Sequence, residues 1–115
     1  MITDTLFLLP AGFTETDRRE YCPECAEMYG LLAYYPSIKN SLNIVYVDIH
    51  KPRQEMTALL GDTNQNAPTL LLHPESPVFE DCGIQTHHEK RFINNARDIG
   101  AYYARRFGTA WPRGH

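Results

Sequence analysis

The stretch YCPECAEMYG, residues 21–30, carries two cysteines three positions apart, with a proline directly after the first. Pro23 suits the first turn of a helix, where its missing N–H would have had no helical partner. Cys25, Met28, Leu32 and Tyr35 then recur at helical spacing and define one apolar face, closed by Pro36-Ser37.

The flanking segments set this helix in an alternating pattern. Leu6 to Leu9 reads as a short buried strand, stopped by Pro10 and Gly12, and the charged segment from Phe13 to Glu20 reads as a loop. After the helix, NIVYVDI (residues 43–49) is apolar and β-branched with little alternation, which predicts a strand covered on both faces. Pro52 to Leu60 predicts a short helix with Met56, Leu59 and Leu60 inward and Gly61 as its stop. Thr69 to Leu72 predicts a strand, and Val78 to Asp81 a second strand in hairpin with it. Thr86 with Glu89 matches a capping box, so the last helix is expected to begin there and to bury Phe92, Ile93, Ala96, Ile99 and Tyr103. The order is β-α-β-α-β-β-α, an α/β sandwich in one domain spanning 1–115, with its core in about 6–107 and a flexible tail at 108–115.

Composition narrows the classes. The 115 residues suffice for a core without disulfide staples. The formal net charge of -3 argues against a general nucleic-acid binder. No apolar run is long enough to span a membrane, and the amino terminus lacks the basic start of a signal peptide, so a cytoplasmic protein is expected. Three cysteines cannot all pair, and in a reducing compartment close cysteines point to catalysis or metal binding rather than to structure.

The CPEC pair has its own physical logic. A cysteine at the helix cap meets free backbone N–H groups and the positive end of the helix, which favour a thiolate. A second cysteine one turn on can attack a mixed disulfide formed on the first. Cys22 is therefore the expected nucleophile and Cys25 the resolving thiol, with Glu24 opposing thiolate formation between them. The alternatives are two small core residues, or a Zn²⁺ or Fe–S site built from Cys22, Cys25 and Cys82. A zinc site ordinarily needs four ligands, and only one CxxC is present.

APTLLL, residues 67–72, adds a second motif. Together CPEC and Ala67-Pro68 resemble the thioredoxin–glutaredoxin superfamily, in which a CxxC opens the first helix and a cis-proline begins the third strand. The chain looks like an uncharacterised branch of it. The resemblance implies a thioredoxin-like four-stranded mixed sheet flanked by three helices, with Pro68 as the cis-proline against Cys22. It implies that Ala67 offers backbone groups to a substrate and that Arg19 contacts a ligand. By the same resemblance Cys82 and Gly83 form the turn before the last helix, and Thr86 with His87 faces a ligand carboxylate there. The implied activity is thiol–disulfide oxidoreduction on a disulfide-containing protein or a small thiol substrate. No bound cofactor is implied, with glutathione as a candidate co-substrate; a non-catalytic adaptor is the alternative. Two departures stand out: the long acidic loop from Pro10 to Tyr21, and Asp81-Cys82-Gly83 in place of a glycine pair.

Overall fold

The fold is that of a computed structural model, which describes residues 2–114. Along the chain run β1 (Asp4–Leu8), β2 (Phe13–Thr14), β3 (Arg19–Glu20), α1 (Pro23–Tyr34), α2 (Pro36–Asn40), β4 (Leu42–Tyr46) and α3 (Gln54–Leu60). Then follow β5 (Thr69–Leu71), β6 (Gln85–His87), β7 (Lys90–Ile93) and α4 (Ala96–Phe107). Five strands form one mixed sheet in the order β4-β1-β5-β7-β6, and β2 with β3 makes a separate small hairpin. β1 runs parallel to β4 and antiparallel to β5; β5 is antiparallel to β7, and β7 to β6.

β1 is apolar on both faces because both are covered. Side chains alternate along a strand, so Asp4, Leu6 and Leu8 share one face. That face meets α4, since Tyr103 and Arg106 both bond the Asp4 carboxylate. Phe7 points the other way with its register partner Thr69, whose hydroxyl bonds Asn64 and Asn66 in the segment after α3. Met56 and Leu60 of α3 join the same core as Cys25, Met28 and Leu32 of α1. α1 packs against α4.

Several expectations are corrected. Among the described residues the sheet has five strands and there are four helices, not four and three. Pro36 ends α1 as expected, yet its ring suits the first turn of α2, a short additional helix. The strand expected over residues 43–49 spans Leu42–Tyr46 instead and lies at the sheet edge, with Tyr46 exposed.

Val78 to Asp81 is not a strand. The segment is instead held to α4 by side chains: the Tyr102 hydroxyl donates to the Pro77 carbonyl at 2.7 Å, and Phe79 packs on the Tyr102 ring. The strand that pairs with β5 on the side away from β1 is β7. Phe92 and Ile93 are therefore strand residues, facing Leu71 and Leu70 in register.

The last helix starts ten residues later than Thr86. Asn95 is its cap, with the side-chain oxygen accepting from Asp98 N at 2.9 Å. The Thr86–Glu89 spacing belongs instead to a tight hairpin turn, with His88 and Glu89 both at positive φ (46° and 70°). Residues 108–113, expected to be loose, lie back over α1 and α4. Pro112 covers Gly100, Arg97 donates to the Arg113 carbonyl at 2.9 Å, and Ala110 N donates to the Tyr35 hydroxyl at 3.3 Å.

Candidate active site

β1 ends beneath the start of α1, and this junction places the two thiols. Cys22 is the N-cap residue, extended at φ -82° and ψ 116°, with Pro23 at the first helical position. Its half-buried sulfur accepts a hydrogen bond from Cys25 N at 3.2 Å. On another side it faces the carbonyl of Ala67, to which the thiol donates at 3.9 Å. The sulfur thus has a backbone donor for its lone pairs and an acceptor for its proton.

Ala67–Pro68 is a cis peptide bond, and both residues are buried immediately before β5. The two sequence motifs, 46 residues apart (68 − 22), therefore meet in space.

Cys25 has a different environment. It is 2% exposed, and its sulfur accepts from Leu9 N at 3.5 Å. Burial pushes its pKa up from 9.0 to about 12; the Leu9 N–H works against that rise, and the neighbouring Cys22 and Glu24 add to it. One helical turn on, the Tyr29 hydroxyl donates to the Leu9 carbonyl at 3.0 Å, fixing the residue whose N–H faces Cys25. Burial, with Tyr46 beside it, pushes the Tyr29 phenol up to about 12.

Glu24 is engaged in a way its sequence position does not reveal. Its carboxylate accepts from Ala96 N at 3.1 Å, at the first turn of α4. An anion is favoured at a helix N-terminus, so Glu24 ties α1 to α4 across 72 residues of sequence. Asparagines complete the framework. Asn66 donates to the Asn94 carbonyl, Asn94 donates to Asn64 Oδ1 at 3.1 Å, and Asn64 donates to Thr69 Oγ1 at 3.4 Å. The cysteine turn, the cis-proline loop and the start of α4 are thereby joined pairwise. The density of Asn at 64, 66, 94 and 95 was the available sequence signal for this network.

The other expected site residues fall elsewhere. Thr86 is exposed on β6, three strand spacings or about 14 Å from β1, so it neither caps α4 nor reaches the cysteines. His87 lies on the same edge strand, with its ring over Gly61.

The turn that leads into α4 is Asn94-Asn95, not Asp81-Cys82-Gly83. Gly83, at φ 65°, abuts Asp98 so closely that a Cβ would come within 2.2 Å of its carboxylate. Cys82 is buried, donates to Asp81 at 3.7 Å, and feels Asp98 and Arg105 of α4. Burial, ahead of Asp81, raises its pKa. No hydrogen bond links it to the CPEC pair among the described residues. Among those residues, no three His, Cys, Asp or Glu side chains gather as a metal-binding set, so the three-cysteine metal site is not assembled.

Arg19, in the β2–β3 hairpin, lays its guanidinium over Gly12, where a side chain would collide at 2.4 Å. It stands beside Tyr21 and Ala11 in a shallow depression near the thiols.

These observations define an α/β protein whose candidate site is a dithiol at a helix start, facing a cis X-Pro loop. The chain belongs to the family described as Protein of unknown function (DUF3088), whose model matches residues 3–111. That span runs from just before β1 to the segment packed over α1 and α4. No match was found among curated proteins or among solved structures. Among the described residues no helix is long and apolar enough to cross a membrane.

Proposed function

We propose that this protein is a thiol–disulfide oxidoreductase of thioredoxin-like architecture, in which Cys22 attacks and Cys25 resolves. One observation carries the reading: the Cys22 sulfur sits between the Cys25 N–H and the carbonyl of the cis Ala67–Pro68 loop. The architecture is supported by the β4-β1-β5-β7 strand order, with β4, β1 and β7 running one way and β5 reversed between β1 and β7. β6 is then an added edge strand, and β2–β3 an insertion before the CxxC.

The chemistry proceeds in two exchanges. The Cys22 thiolate attacks a disulfide R–S–S–R′, forms Cys22–S–S–R and releases R′–S⁻. Cys25 then loses its proton and attacks the Cys22 sulfur, forming the Cys22–Cys25 disulfide and releasing R–S⁻. Two electrons pass from the dithiol to the substrate, and an external thiol reductant, glutathione or a dithiol protein, returns them.

The helix end supplies donors to the first sulfur. Burial keeps the second protonated until the mixed disulfide has formed and its sulfur is in reach. Ala67, next to Cys22, has the backbone carbonyl with which an incoming chain can bond. The acidic residues before the CxxC favour substrates without a large negative charge.

The test is a redox titration in glutathione buffers, with Cys22–Cys25 disulfide followed by mass spectrometry, alongside turnover of a small disulfide. A Cys22–Cys25 bond is expected, with loss of turnover in Cys22→Ser and a stalled covalent adduct in Cys25→Ser. Full turnover by Cys22→Ser, or no such bond at any glutathione ratio, refutes the proposal.

A further inference from the structure

Beside the thiols lies a cavity of about 330 Å³ lined by Pro10, Ala11, Tyr21, Cys22, Cys25, Ala26 and Tyr29. No residue of the cis-proline loop lines it. Cys22, Cys25, Ala26 and Tyr29 are spaced at i, i+3, i+4 and i+7, so they form one stripe along α1. Pro10 and Ala11, just past the end of β1, make the facing wall. The lining holds no charged side chain. The Tyr29 hydroxyl is already used by the Leu9 carbonyl, which leaves its ring as the apolar contribution to the site. Tyr21, directly before the nucleophile, is 65% exposed, a large aromatic surface that the fold leaves unburied.

We propose that this cavity receives an apolar or aromatic S-substituent, and that the substrate is a low-molecular-weight disulfide bearing such a group. The inference rests on the reading of Cys22 as the nucleophile. A group R retained in Cys22–S–S–R begins two atoms from a sulfur that itself lines the cavity. An apolar R gains by leaving water for that space. A hydroxylated or charged R finds no partner there, and burying it unpaired is costly. The volume falls at the low end for small-ligand sites, which suits a ring-sized group rather than a folded protein's surface.

Two methanethiosulfonates, benzyl and 2-hydroxyethyl, test this on the Cys25→Ser variant, which stops at the mixed disulfide. In each case the Cys22 thiolate displaces methanesulfinate and forms Cys22–S–S–R, so the leaving group is the same and only R differs. Each rate is divided by that of the same reagent with free 2-mercaptoethanol. The normalised benzyl to hydroxyethyl ratio is expected to be about 10, as for partial burial of one aromatic ring. Ala26→Leu, at an exposed helical position that accepts leucine, fills the cavity and should bring the ratio near one. Tyr21→Ser should lower it as well. A ratio near one before any filling, or one that Ala26→Leu leaves high, overturns the cavity assignment while the dithiol chemistry stands. Failure of Cys22 to react with either reagent overturns both.

Discussion

Folding should divide the three thiols into one reactive and two silent groups. The perturbation is a pulse of iodoacetamide on reduced protein at neutral pH, with site occupancies read by peptide mass spectrometry. The same chain unfolded in urea provides the reference rate for each cysteine. Moving Cys25 from 9.0 to about 12 lowers its thiolate fraction by about three powers of ten. A more basic thiolate is a better nucleophile; with a Brønsted slope of about 0.4–0.5, that recovers a factor of about 15–30. Ionisation alone therefore slows Cys25 by about 30–60-fold relative to the unfolded chain, before any steric block from its 2% exposure. Cys82, at 0% exposure and with a raised pKa, should be protected too. Half-buried Cys22, at the mouth of the cavity, should take up nearly all the label. Because Cys25 is mostly protonated, its rate should rise about tenfold per pH unit while the fold holds. Labelling of folded Cys25 within a few-fold of its unfolded rate, or ahead of Cys22, would refute the assignment of roles.

Two further predictions concern the framework. Asp4, 2% exposed, accepts from His73 N, Ser76 Oγ, Tyr103 OH and Arg106. Asp4→Ala leaves the Arg106 cation and the Tyr103 hydroxyl without it, so urea titration should show a loss of about 3–5 kcal/mol; a change below about 1 kcal/mol would contradict a structural ion pair. Glu89, at φ 70° in the β6–β7 turn, occupies a conformation that glycine adopts freely. Glu89→Gly should raise stability by about 0.5–1 kcal/mol, and a lower urea midpoint would count against the turn described here.

The errors of sequence reading at the carboxyl-terminal half share a cause. Thr86-x-x-Glu89 and Asn95-x-x-Asp98 have the same spacing of cap and acid. Local pattern cannot rank them, because the choice is made by pairing. Phe92 and Ile93 find partners in Leu71 and Leu70, which holds residues 85–93 as a hairpin and leaves Asn95 to cap the helix. Pro36 posed a similar ambiguity, since a proline that cannot continue one helix is well suited to begin the next.

The sequence by itself determined the elements whose physics is local: the proline-led helix at Cys22, its Cys25–Met28–Leu32 face, and the apolar run of β1. It also determined that Ala67-Pro68 stands ready to begin a strand. Tertiary structure decided what each polar group does, because partners lie far along the chain. Glu24, a nearby charge when only CPEC is considered, is committed to Ala96. Cys82, an attractive third thiol by count, is buried against α4. Asp4, one acid near the amino terminus when only the sequence is considered, anchors Arg106 from 102 residues away. Spacing reports which residues share a turn or a face; only the packed chain fixes which charges and thiols meet, since a low-dielectric interior forces each buried polar group to find a partner.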